Sequence, residues 1–280
     1  VKGFSQGFEE NNVMLNMFSP FIELVSPGGK VRNFFSKMDV WLSRKEPADI
    51  AEFTLKTGLP ALGLAKGAPV EIWIGYDPSK AWRVFAGYVT EPRSPNYLCK
   101  DEALKLFKTN IVQSFQDVAP QDVIRFGLLE AGITVFTLDD TVYPHKSGFV
   151  AAGENVSDLV KRVNATWGIT NDHYFDGDRR FYWTPPTPQP GPVYVYEYGE
   201  NILSLEFFDE RDPYGQRAAG STSGAGKLLT VASPFISHSR EIKIIWPEVR
   251  QTRYLVETVR HFLNDKGSLR TEIYFREMAV

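Results

Sequence analysis

The chain has 280 residues, 43% of them hydrophobic and 14% aromatic, and carries a formal net charge of −3. That is enough chain for two or three compact units with cores of their own, and it lacks the basic excess of a general nucleic-acid binder. A single cysteine, Cys99, excludes an internal disulfide and a cysteine-rich zinc site; no run could span a bilayer as an apolar helix, and no basic region followed by an apolar core marks a secretory signal.

The abundance of Phe and Tyr, 20 and 12 residues, favours strands. Phe21 to Val25 is a short apolar run ended by the turn signal Ser26-Pro27-Gly28-Gly29. Phe34 to Leu42 and Ala51 to Lys56 read as the next strands, and residues 58–69 as a Gly- and Pro-rich loop without the spacing of a phosphate loop. Val70 to Tyr76 and Ala81 to Thr90 form a hairpin about Asp77-Pro78-Ser79-Lys80. Val70, Ile72, Ile74 and Tyr76 share one face of it, and Glu71 and Trp73 the other.

After Pro95 the pattern changes. Tyr97-Leu98-Cys99 is a short strand, Asp101 to Phe107 one or two helical turns, and Asn110 to Phe115 a returning strand. Pro120 to Glu130 reads as a helix with Pro in its first turn and Gly132 beyond its end; Val123, Phe126 and Leu129, with Ile124 and Leu128, make its apolar face. Val156 to Trp167 is a second helix. Asn155 caps it, Asp158 sits near its positive end, and Val156, Leu159, Val160, Val163 and Trp167 form one stripe. A hairpin about Asp176-Gly177-Asp178 closes this small α/β unit, and Pro185 to Pro192 is a stiff, extended connector. Strands return at Val193 to Tyr198 and Ile202 to Asp209. Glu210 to Lys227 is polar and Gly/Ser-rich and reads as a long mobile loop. The end of the chain carries a strand with Ile242, Ile244 and Trp246 on one side, then Tyr254 to Phe262, a turn at Asn264 to Gly267, and the alternating run Leu269 to Phe275.

The fold class is therefore mixed β and α+β, with two antiparallel tube-like β-barrel domains flanking or enclosing a small α/β unit. The expected boundaries are 1–95, 96–184 and 185–280. The two β units are expected to be similar barrels related by an approximate rotation, each closed by an alternating hairpin (Val70 to Thr90, Tyr254 to Phe275), with the middle unit outside them. Halves merged in one continuous sandwich, or one half wholly helical, would overturn that arrangement and any function resting on it.

Residues that could carry chemistry do not converge. His145, His173, His238 and His261 lack metal-ligand spacing. Asp172, Asp176 and Asp178 beside His173 could offer oxygen ligands, but a polar turn is the simpler reading. Cys99 reads as a small core residue rather than a nucleophile, and Asp139-Asp140 as loop solvation rather than an acid/base pair. No catalytic residue, metal site or cofactor site is expected. The residues singled out are aromatic interface candidates: Trp41, Trp73, Trp82, Tyr88 and Trp246.

The order of four stretches resembles the phage tail baseplate hub family, the late-control protein D type and the central hubs of contractile tails. They are ADIAEFTL with GAPVEIWIG and WRVFAGYVTEP; YLCKDEALKLF with QDVIRFGLLEAGI; GENVSDLVKRVNATWGI with a hairpin ending in FYWTP; and the run from Glu241 to Phe275, where Pro247, Val259, His261, Gly267 and Thr271 fall in a similar strand-turn-strand segment. The resemblance spans most of residues 20–276 and leaves Glu210 to Lys227 without a role. It implies a structural protein of the virion tail, assembled in the host cytoplasm. It further implies a homotrimer whose paired barrels make a pseudo-sixfold ring between the hexameric tail tube, or a distal tail protein, and a spike or tip protein. DNA or a tape-measure protein would pass through the ring. Neither membrane insertion nor sequence-specific nucleic-acid binding is expected. A tailocin or another contractile injection system would use the same architecture. A carbohydrate-binding adhesin module and a cell-wall hydrolase are the other readings.

Overall fold

The computed structural model describes residues 20–58, 62–208, 224–247, 249–264 and 267–278. The chain opens with β1 (Phe21–Ser26), β2 (Gly29–Arg32), β3 (Phe35–Ser43), β4 (Ile50–Leu55), β5 (Pro69–Gly75), β6 (Trp82–Arg93) and β7 (Asn96–Lys100). Period-two alternation decides the faces: Met38, Val40 and Leu42 of β3 are buried, as are Val70, Ile72 and Ile74 of β5. The expected hairpin of β5 and β6 is present, and its connection is fixed by Asp77, whose carboxylate accepts from the Ser79 N–H at 2.8 Å. The strand β7, expected to open the middle unit, instead hydrogen-bonds to both β4 and β6. Local pattern gave its strand character, but only its long-range partners assign it to this sheet.

The middle of the chain holds α1 (Ala103–Lys108), β8 (Asn110–Val118), α2 (Pro120–Glu130), β9 (Phe136–Leu138), β10 (Lys146–Asn155), α3 (Val156–Trp167), β11 (Asp172–Phe175) and β12 (Phe181–Thr184). The caps of α3 are those its sequence specifies. Asn155 accepts from the Asp158 N–H at 3.0 Å, and Gly168 ends the helix at φ 68°. The core face of α2 is rotated from expectation: Val123, Ile124, Gly127 and Leu128 are buried, while Leu129 is 52% exposed. Gly127 is the reason, because a Cβ there would lie 3.1 Å from Leu159 of α3; the close approach fixes which side of α2 faces α3. β8 and β10 pair antiparallel, β11 and β12 form a hairpin, and β9 joins β12 in parallel. Around α2 and α3 these elements enclose their own core, including Phe149, Val160, Phe181 and Trp183.

The last part contains β13 (Tyr194–Glu197), β14 (Ile202–Phe208), β15 (Ala225–Val231), β16 (Glu241–Trp246), β17 (Val249–Leu263) and β18 (Leu269–Glu277). Strand β15 corrects the expectation of a loop over 210–227. Ala225 to Lys227 already pair with Phe208, Phe207 and Glu206 on one side and with β18 on the other, whereas residues 209–223 lie outside the described residues. Gly226 reads as a loop residue but is a packing requirement. A Cβ there would come within 2.7 Å of the Phe275 ring.

The long strand β17 joins the parts. One edge pairs along β18, and the other edge is divided. Residues up to Leu255 pair with β16, and Thr258 to Phe262 pair with Ser43 to Asp39 of β3. The hairpin β17–β18, expected only to close the last unit, therefore also joins it edge to edge to the first. The strand path runs β14-β15-β18-β17-β3-β4-β7-β6-β5-β1-β2, with β16 and β13 branching from β17; these 13 strands form one hydrogen-bonded sheet. The two outermost strands of the last half, β13 and β14, meet again through the bridge Tyr198–Ile202. One cluster of buried apolar side chains spans both halves, from Ile22 and Phe53 to Ile244, Val259 and Phe275, so the expectation of two separately closed barrels is corrected: the halves share one hydrogen-bonded sheet and one core, because β17 pairs with β3.

Candidate functional site

The parts of the chain meet at Arg44, the residue that follows β3. A guanidinium is costly to bury unless every donor finds an acceptor. Arg44 is 1% exposed, and its donors are taken up by three residues in two segments, β11 and the connector. Nε donates to Asp172 Oδ2 of β11 at 2.8 Å, Nη1 to the Thr187 carbonyl at 3.0 Å, and Nη2 to the Pro185 carbonyl at 3.2 Å. The guanidinium also lies 5.2 Å from the centre of the Tyr174 ring, and the Arg44 backbone N–H donates to the Glu257 carbonyl of β17. One side chain thus fastens the first half to the middle hairpin and to the proline-rich connector.

Beside it, the β11–β12 hairpin sits between the two halves. Arg83 of β6 donates to the Gly177 carbonyl at 2.7 Å and pairs with Asp178 at 3.1 Å; Arg179 pairs with Glu102 at 3.5 Å. From the other half, the His238 ring donates through Nε2 to the Phe175 carbonyl at 3.1 Å and meets the Tyr174 ring edge-on at 4.9 Å. Burial pushes the His238 imidazole down to about 3, so it is a neutral donor here. Two further carboxyls, Asp49 and Asp101, are buried at the same seam, where Asp49 Oδ1 accepts from the Ser43 N–H and Asp101 Oδ1 from the Ala103 N–H. Burial raises both, Asp101 to about 7. A cavity of about 450 Å³ opens here, and its lining includes Asp49, Asp101, Asp176 and His238 together with Trp73, Trp82 and Phe235.

The opposite face of the joined sheet carries a second feature. Arg260 of β17 binds Asp39 of β3 with both arms, at 2.8 and 2.5 Å, and Glu272 of β18 at 3.3 Å. Its guanidinium lies 4.8 Å from the Trp41 ring centre and 4.5 Å from that of Phe262. A bidentate, stacked arginine is a stiff clasp, and this one bridges the strands that join the halves. A groove of about 820 Å³ runs alongside, floored by Trp41, Ile50, Leu98, Phe107 and Tyr274.

The five aromatic candidates do not form one patch. Trp73 and Trp82 share the smaller cavity; Trp82 is 51% exposed and packs edge-on to Phe235 at 6.4 Å. Trp41 lies in the groove, stacked with Tyr274 at 6.2 Å. Tyr88 is bound to Glu102, its hydroxyl donating at 2.8 Å, and Trp246 packs on Tyr198 at 4.5 Å. Of the groups weighed for chemistry, Cys99 is a core residue of β7, its thiol pushed up to about 12 by burial. Asp139 is not loop solvation. Burial alone would raise its carboxyl, but donors on Asn171, Tyr143 and Thr141 outweigh that and hold it below the ordinary carboxylate range. His173 turns from the neighbouring aspartates to Ser157, and Asp172 goes to Arg44. Among the described residues, no group of three or more His, Cys, Asp or Glu is placed to hold a metal ion. Sequence reasoning missed Arg44, Asp49, Asp101 and Arg260. Their signal, a charged residue at the end or on the outer face of a strand, is indistinguishable from ordinary surface charge until the partners are known.

No family model and no curated protein matches the chain by sequence. Solved structures match it closely in shape. A 43 kDa tail protein of prophage MuSo2 from Shewanella oneidensis, 12% identical, aligns over 92% of this chain and 98% of its own with a TM-score of 0.66. A tail protein from Neisseria meningitidis MC58, 13% identical, aligns over 93% and 97% with a TM-score of 0.67. An Escherichia coli component of the type VI secretion system, described as structurally similar to the T4 bacteriophage tail proteins gp27 and gp5, is 12% identical and aligns over 91% and 77% with a TM-score of 0.64. Nearly the whole chain, both β halves and the α/β part between them, therefore has the fold of phage tail proteins and of their type VI secretion counterpart.

Proposed function

We propose that the chain is a structural baseplate hub or tail-tip protein. In this reading three copies form a ring that joins a hexameric tail tube, or a distal tail protein, to a spike or tip protein, and DNA or a tape-measure protein passes through the ring. The first and last parts, 1–95 together with β7 and 185–280, serve as its tube-like wall domains, and the remainder of the α/β part, up to residue 184, lies outside. Trp41, Trp73, Trp82, Tyr88 and Trp246 are assigned to contacts with neighbouring subunits. The role is mechanical rather than catalytic, and its place is the virion tail.

The observation that carries this reading is likeness in fold to two tail proteins and a type VI secretion component over 91–93% of the chain. Two β halves joined edge to edge depart from two separately closed barrels, so the reading rests on the likeness in fold and not on barrel closure. Light scattering on the purified chain, alone and with the tube or spike protein, is the test. A trimer is expected, and a monomer that persists with both partners present overturns the reading. A second reading, the hub of a tailocin or another contractile injection system, is favoured by the type VI component among the fold matches. It predicts the same trimer, with an injection-system tube protein rather than a phage tube protein as partner.

A further inference from the structure

The seam around the β11–β12 hairpin holds more acid than its cations can neutralise. Asp49, between β3 and β4, and Asp101, just before α1, are both over nine-tenths buried, and their segments are tied by the Asp101 N–H donating to the Asp49 carbonyl at 3.2 Å. The Asp49 carboxyl accepts the Ser43 N–H, and the Asp101 carboxyl accepts the Ala103 N–H with weaker support from the Asp49 and Asp101 N–H groups; among the described residues neither has a Lys or Arg within salt-bridge distance. The cations nearby are engaged elsewhere. Arg44 serves Asp172 and two carbonyls, Arg83 serves Glu71 and Asp178, and Arg179 serves Glu102 and Glu71. Lys105 pairs with Glu102, and Arg240 donates to the Pro190 carbonyl. His238, whose Nε2 lies 3.9 Å from Asp49 Oδ2, gives its proton to the Phe175 carbonyl and is uncharged. From the hairpin, Asp176 faces Asp49 and adds a like charge, and Glu102 does the same to Asp101.

We propose that this seam is a proton-operated latch: protons on the Asp49 and Asp101 carboxyls keep the hairpin Asp172–Thr184 seated between the two β halves, and losing them releases it. The groups that change charge, Asp49 and Asp101, sit on the first half and at the entrance to the middle part. The structure they hold is the hairpin, through the His238–Phe175 and Arg44–Asp172 contacts beside them. Ionising both places two like charges without a cation partner on buried side chains, and half-buried Asp176, which accepts the Asp178 and Arg180 N–H groups, adds a third. Opening the seam hydrates them. The sign follows from linkage. Their folded-state affinity for protons is raised, so the closed seam is favoured at low pH, and that advantage is lost as pH climbs from the ordinary carboxylate range through about 7. The latch does not depend on the proposed place in a tail.

Hydrogen exchange on the full chain tests it, with intrinsic exchange rates corrected for pH. For the hairpin peptide, opening is expected to rise about ten-fold between pH 6 and pH 8.5 through Asp101 alone, while the β5 peptide stays protected. Asp101→Asn and Asp49→Asn, which keep shape without charge, are expected to flatten that rise. Equal pH dependence in wild type and variants, no pH dependence in wild type, or equal loss of protection in β5 overturns the proposal. If the variants fail to fold, carbon NMR of the wild-type aspartate carboxyls decides. A carboxyl in this pair titrating near or above pH 6 supports the latch, and both titrating below pH 5 overturns it.

Discussion

Arg44 donates to Asp172 across 2.8 Å, and through that bond the end of β3 holds a hairpin 128 residues further along the chain. Neither residue is on an apolar stripe. The pair is informative because Arg44 is completely enclosed and Asp172 nearly so, with side-chain exposures of 0% and 13%.

Removing one partner of a buried ion pair leaves the other stranded, at a cost of about 3–5 kcal/mol. Arg44→Met is expected to reduce stability by that order, read from the denaturant midpoint. It should also raise hydrogen exchange in Asp172–Phe175 and in the connector 185–190, whose carbonyls lose their donor. Lys45, 3.2 Å from Asp172, will recover part of the charge but none of the carbonyl contacts. Loss of stability spread evenly over β5 and the hairpin would contradict a local fastening role.

Glycines inside strands give a sharper packing test. A Cβ on Gly87 of β6 would lie 2.8 Å from the carbonyl carbon of Lys100 in β7 and equally near the Phe85 ring. Backbone cannot yield there as a side-chain tip can. Gly87→Ala is expected to cost about 1–3 kcal/mol, with Gly226→Ala in β15 similar through the Phe275 ring. Gly132→Ala has open space around it but sits at φ 71°, so its cost is backbone strain alone, about 1 kcal/mol. Thermal melts of the three variants check the order. A Gly87→Ala protein as stable as wild type would mean that β6 and β7 are not paired as described.

What the sequence makes legible is local. The hairpin β5–β6, the capped helix α3 and the alternation of β18 follow from side-chain period, Pro, Gly and Asn, all written within a dozen residues. The joint of β3 to β17 is not. Thr258 and Ser43 are partners 215 residues apart, and nothing in either segment names the other. The same holds for β15, whose Gly226 looks like loop composition until Phe275 lies over it. The aromatic candidates were found by residue type, yet they disperse over separate surfaces. The charged residues that organise the seam, Arg44, Asp49 and Asp101, carry no pattern beyond their identity.

The buried histidines make a pH prediction with a definite sign. Burial pushes His173 down to about 4, His238 to about 3 and His261 to about 4. For His261 the hydrogen bonding agrees. Thr271 Oγ1 accepts from the Ser233 N–H at 2.9 Å, so the hydroxyl donates its own proton to His261 Nδ1 at 3.0 Å, which a protonated ring could not accept. A histidine whose folded pKa is depressed contributes stability above its ordinary value of about 6.5 and loses it as pH falls toward 4, about 1.4 kcal/mol per unit for each ring. Proton NMR is expected to find these three rings unprotonated down to pH 5. A midpoint near 6.5 for His261 would contradict its placement in the core.

In the proposed assembly the chain forms one third of a ring at the end of a tail tube. Electron cryo-microscopy of the purified chain mixed with tail-tube and spike proteins would show that ring or its absence. The expected image is a closed ring of three copies seated on a sixfold tube. In that ring the two β halves of each copy alternate around the axis, and α2 and α3 lie on the outside. A ring of six copies, which would place twelve β halves around the axis, or a chain that stays monomeric beside an assembled tube, would contradict it.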